Sequence, residues 1–114
     1  MTLQNKNDAL PPKTCTIERL VTVPADIEKV IKGEKTATRR NGRYADIGEV
    51  MILQDREFVV ERVYSQALGE MTDEHAQQEG FATLDEYKES ILSMHPGMPW
   101  VPKMKVWVHE FVSK

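Results

Sequence analysis

The sequence predicts a small α+β protein: a mostly antiparallel β-barrel with short helices inserted between its strands. Three observations lead there. Segments rich in β-branched and aromatic residues recur along the chain, separated by polar turns. Short amphipathic patterns with recognisable helix starts interrupt them. A length of 114 residues holds one core and leaves no room for a second.

Taken in order, residues 1–13 are polar, end near Pro11-Pro12, and read as a flexible arm ahead of a domain spanning 14–114. Thr14 to Val23, TCTIERLVTV, is dense in β-branched residues and reads as the first strand, stopped by Pro24. Pro24 and Asp26 open a helix whose face carries Ile27, Val30 and Ile31, and Gly33 ends it. A short basic strand follows within 33–43. Tyr44 to Gly48 is a loop, and Glu49–Leu53 and Phe58–Ala67 form a hairpin around a polar turn. The second strand alternates imperfectly, which a bulge or burial on both faces explains.

Thr72 and Asp73 are good N-cap residues for a helix running to Glu79. That helix has a thin apolar face, so it is expected to lie over a site more than in the core. Thr83 to Glu86 matches a capping box, and Leu84, Tyr87, Ile91 and Met94 form a core stripe. The loop from His95 to Pro102 carries Trp100, which either plugs a barrel end or stacks on a base. Lys103 to Val112 closes the chain as a strand. It has Met104, Val106 and Val108 on one side and Trp107, His109 and Phe111 on the other.

Composition excludes several classes. The net charge is −3 with neutral histidines, unlike a protein that wraps nucleic acid by bulk electrostatics. Apolar runs are far too short to span a membrane, so no membrane partner is expected. The N-terminus shows no secretory pattern. One cysteine and three scattered histidines give no disulfide and no metal spacing, and nothing calls for a cofactor. A reduced cytoplasm is the expected home.

Any anion site must therefore be local, and the stretch Gly33 to Arg43, GEKTATRRNGR, offers one. Lys32, Lys35, Arg39, Arg40 and Arg43 crowd it, interleaved with Thr36 and Thr38. The charge is either a solvated edge or faces an electron-rich ligand. Strand alternation puts Lys35, Ala37 and Arg39 on one face and Thr36, Thr38 and Arg40 on the other, with strand twist as a route for Lys35 and Thr38 to share one mouth. Lys32 reads as a helix-end cation. His75 and Glu79 lie one helical turn apart, either as an exposed pair or as part of a site.

These residues resemble a known family. Gly33-Glu34-Lys35-Thr36-Ala37-Thr38-Arg39-Arg40 followed by Gly48-Glu49-Val50 is similar to the signature of the ASCH domain, in the PUA-like superfamily. Thr72-Asp73-Glu74-His75-Ala76-Gln77-Gln78-Glu79 is similar to the matching segment of small bacterial ASCH proteins that act as N4-acetylcytidine amidohydrolases. The resemblance covers roughly Thr14 to Val112. It implies a PUA-like barrel whose cleft binds a nucleoside, nucleotide or short RNA ligand, without metal. By position it implies Lys35 as proton acceptor, Thr38 as nucleophile and Glu79 as proton donor. Thr36, Arg39, Arg40, Arg43, His75 and Trp100 are the expected substrate-binding residues. The chain departs from the pattern in its N-terminal arm, in Arg39, which stands where the motif carries an apolar residue, and in a more elaborate loop before the last strand.

The chemistry is self-consistent. A threonine hydroxyl attacks a carbonyl only when a base takes its proton. A lysine serves as that base when burial or neighbouring cations lower its pKa. The leaving amine needs a proton from an acid, and Arg40 would hold the ligand carbonyl or the oxyanion. Two other uses of the same basic cleft stay open: non-catalytic RNA binding, and ribonuclease action. The second is less attractive because the cluster lacks a histidine pair.

Overall fold

A computed structural model describes residues 12–97 and 99–114. Helix α1 spans Pro24–Ile31, and strand β1 spans Ala37–Arg40. Strands β2, Val50–Leu53, and β3, Arg56–Ala67, form the hairpin. Helices α2, Asp73–Gln78, and α3, Leu84–Met94, precede the last strand, β4, Lys105–Ser113. All pairings are antiparallel, in the order β1-β4-β3-β2, and the sheet curls into a half-barrel. The predicted fold class therefore holds, as an open half-barrel with short helices.

Local chemistry explains most boundaries. Pro24 occupies the first turn of α1, and Gly33, at φ 80°, ends it in the left-handed region where a side chain costs energy. Gln54 and Asp55 both take positive φ, as a two-residue hairpin turn demands. Thr83 caps α3 by accepting from the Glu86 amide at 3.2 Å, and the Glu86 carboxylate reaches back to the Ala82 amide at 3.1 Å. The irregularity expected in β3 is a bulge between Val60 and Arg62.

The first expected strand does not exist. Residues 14–23 instead hold a 3-10 turn at Ile17–Arg19, and Leu20 and Val21 pack into the core as consecutive residues. Alternation, which a half-buried strand requires, is missing, and tertiary contacts override β propensity. The Leu20 carbonyl accepts from the Arg40 side chain, so it is not free for a ladder. Of the arm expected over 1–13, residues 1–11 lie outside the described residues, while Lys13 is ion-paired with Glu49 at 3.0 Å.

Each face of the sheet has its own core, and the bulge sets which residues of β3 join which. One cluster gathers Met51, Leu53, Phe58, Val60, Val63 and Phe111 with Leu20, Val21 and Val30. The other gathers Val106 with Leu68, Met71, Ala76 and Tyr87 under α2 and α3. This second layer positions the candidate site. It anchors α2 through Ala76 and α3 through Tyr87, while Met94, the last residue of the α3 stripe, is exposed. No helix among the described residues is long and apolar enough to cross a membrane.

Candidate functional site, a buried cation cluster behind an aromatic cleft

Pleating of β1 sorts the basic stretch into two populations. Ala37, Thr38, Arg39 and Arg40 pair with Glu110, His109, Val108 and Trp107 respectively. Arg39 therefore shares a face with Val106 and Val108, under α2 and α3, and Lys35 keeps that phase. Thr38 and Arg40 take the face of His109 and Trp107.

On the first face, Lys35 and Arg39 converge on one carboxylate. Lys35 Nζ donates to Glu79 Oε1 at 2.7 Å, and Arg39 Nη1 to Glu79 Oε2 at 2.9 Å. All three side chains are almost fully buried, with 1–4% exposure. Glu79 is the residue just after α2, where the Gly80 turn ends the helix, so the helix end is what carries it over β1. Arg39 Nε donates to Gln66 Oε1 at 2.9 Å, which ties the cluster to β3. Arg39 Nη2 is buried and has no hydrogen-bond partner.

Arg39 also lines a cleft of about 460 Å³, together with Arg40, Asn41, Tyr44, Tyr87 and Trp100. Its apolar lining comes from Leu68, Ile91, Met104 and Val106, with His95 beside them. Trp100 stands edge-on to Tyr87, ring centroids 6.2 Å apart, so it both packs on the second core and faces the cleft. Arg40 lies over the Tyr44 ring at 5.9 Å and donates Nη2 to the Leu20 carbonyl at 2.6 Å. Burial, then the nearby Glu79 carboxylate, raises the Tyr87 phenol, which stays protonated as a donor.

The structure thus brings Lys35, Arg39 and Glu79 together, and brings Arg39, Arg40 and Trp100 to the cleft. Other expected residues lie elsewhere. Thr38 is buried on the face of His109, because three residues along a strand reverse the side-chain direction relative to Lys35. Thr36 is exposed and borders a second cavity of about 280 Å³, which Lys35 also borders. Arg43 is buried and ion-paired with Asp46. His75 accepts from the Thr72 amide through Nδ1 at 3.0 Å, a helix-start role, and its Nε2 lies 3.5 Å from the Gln66 amide nitrogen. Lys32 pairs with Glu28 on the exposed side of α1, as the helix-end reading expects.

Sequence reading missed four participants. Tyr87 and Ile91 belong to the core stripe, yet they line the cleft as well. Gln66 carried no signal. His109 did carry one, a lone imidazole on the face of Trp107 and Phe111. It is fully buried, its Nε2 accepts from the Tyr44 amide at 3.0 Å, and Nδ1–H donates to the Thr38 carbonyl at 3.4 Å. Burial lowers its pKa to about 4, against the backbone interactions with Thr38 and Trp107 that favour the charged ring, so at neutral pH it is an uncharged strut holding the Tyr44 loop to β1. Among the described residues, no group of three or more His, Cys, Asp or Glu is placed to hold a metal ion.

Compared by sequence, the chain matches no family model and no curated protein. Compared by structure, it is similar to an ASCH domain from Lactobacillus crispatus, with a TM-score of 0.65 at 13% identity over 78% of this chain and 70% of that one. It is also similar to a DUF984 protein from Enterococcus faecalis, with a TM-score of 0.56 at 21% identity over 76% of this chain and 66% of that one. At these identities the likeness is one of fold: this chain has an ASCH-like fold.

Proposed function

We propose that this protein binds a nucleobase-bearing ligand in the Arg39–Trp100 cleft and removes an acyl group from it, as in hydrolysis of N4-acetylcytidine. The observation that carries the reading is Arg39. One guanidinium lines an aromatic cleft sized for a small ligand and also clasps a buried lysine–carboxylate pair. A base stacks on Tyr or Trp faces without sequence demand. Arginine donors then hold its carbonyl or the oxyanion that develops during amide cleavage.

In this reading Lys35 and Glu79 handle the protons. They share a hydrogen bond of 2.7 Å, and the reaction requires one proton to pass along it from the ammonium to the carboxylate. The amine takes the proton of the attacking Thr38 hydroxyl. The acid protonates the departing cytosine amine. Water then releases acetate from Thr38.

A second reading, binding without catalysis, is favoured by a specific feature. Both Glu79 oxygens are occupied, and Thr38 lies on the opposite face of β1 from Arg39. One experiment separates the two. The protein is mixed with N4-acetylcytidine and followed by ultraviolet absorbance, with binding of cytidine measured in parallel by calorimetry. Turnover that disappears in Thr38→Ala and Lys35→Ala supports the enzyme. Binding without turnover supports the module, and absence of both removes the proposal.

A further inference from the structure

Arg39 holds an unspent donor and an unspent charge in the same place. Its Nε and Nη1 are committed to Gln66 and Glu79, while Nη2 is buried without a hydrogen-bond partner on a side chain that lines the cleft. A buried donor left unmade costs on the order of 1–3 kcal/mol, more when charged. The charge count points the same way: two buried cations, Lys35 and Arg39, share the single carboxylate of Glu79. Gln66, the other partner, is neutral. Glu110, a further carboxylate on that face of the sheet, is engaged by Tyr64 Oη at 2.7 Å and by Arg62 at 3.4 Å. Arg40 adds another cation to the cleft and directs Nε and Nη2 at a neutral carbonyl.

A neutral ring carbonyl would satisfy Nη2 and leave the excess charge standing. An anionic oxygen satisfies both, and phosphate is the anion that a nucleobase ligand carries. We propose that the cleft selects a phosphate monoester nucleotide over the neutral nucleoside, with Arg39 Nη2 as the fixed donor to a phosphate oxygen. The inference rests on the base-binding reading above. Arg39 is held from two sides, so little side-chain entropy is lost when it engages the ligand. The same monoester could come from a free nucleotide or from a phosphorylated RNA end.

Calorimetry with CMP, cytidine, ribose 5-phosphate and a 5′-phosphorylated trinucleotide tests this. CMP is expected to bind at least tenfold tighter than cytidine. Gln66→Glu, which sets a carboxylate where the amide oxygen already meets Arg39 Nε, is expected to close that gap while the protein stays folded. Arg39→Leu is expected to close it too. Equal binding of CMP and cytidine overturns the phosphate preference and leaves the base reading standing, as does a gap that survives Gln66→Glu. Ribose 5-phosphate binding as tightly as CMP, with cytidine silent, keeps the phosphate site and overturns the base reading. No binding by any of them overturns both. A trinucleotide as tight as CMP assigns the monoester to an RNA end, and a weaker one assigns it to a free nucleotide.

Discussion

Glu79 is the residue on which most depends, because two buried cations have no other carboxylate in their hydrogen bonds. Glu79→Ala strands Lys35 and Arg39, and breaking a buried pair in this way costs about 3–5 kcal/mol. Urea unfolding should register that loss as a lower midpoint with an unchanged slope. His109 gives a prediction in pH. Its pKa falls from about 6.5 unfolded to about 4 folded. The unfolded chain thus binds more protons between these values, and stability rises with pH across that window. The contribution is complete above about 6.5, shrinks as pH falls, and is exhausted below about 4. Its full size is on the order of 3 kcal/mol. His109→Gln should flatten this stretch of the stability–pH curve relative to the native protein. An equally steep curve in the variant would mean that other groups set it.

Among the elements, α3 links local sequence to the site. Its Thr83 cap fixes where the helix begins, and the helix brings Tyr87 and Ile91 to the cleft. Thr83→Ala should cost about 1 kcal/mol and speed hydrogen exchange of the first-turn amides, Glu86 above all. Such helices are legible from sequence because their signals are local: a cap, a 3.6-residue stripe, a glycine stop. β1 was legible for a similar reason. The period of two in Lys35, Ala37 and Arg39 placed both cations on one face, where Glu79 joins them. The segment 14–23 failed because its β-branched residues promised a strand that only pairing partners could grant. The Leu20 carbonyl meets the Arg40 side chain instead.

At the scale of the molecule, the cleft is assembled from separate segments of the chain. Trp100 comes from the loop after α3, Tyr44 from the loop after β1, and Arg39 from the strand between. A ligand bound there should stabilise the whole fold, by about 2.7 kcal/mol when present at a hundred times its dissociation constant. Melting curves with and without nucleotide would show it. Trp100→Ala should weaken binding by about 1–3 kcal/mol if the ring stacks on the base, and should also lower the melting temperature of the free protein, because the ring packs on Tyr87 in the second core.

Sequence alone determined the small α+β fold class, the hairpin with an irregular second strand, the helix limits, and the interleaving of basic and hydroxyl residues along β1. All of these follow from spacing within a dozen residues. It also nominated Lys35, Arg39 and Glu79, although nothing in it could place 35 beside 79. Tertiary structure decided that Glu79 serves two cations and that Thr38 faces His109. It also decided that Arg39, whose Nη2 is buried without a hydrogen-bond partner, lines a cleft with Tyr87. Those outcomes depend on which strand edges meet and which helix end lies over them. Register between segments 40 or more residues apart is set by packing, and packing has no signature within either segment.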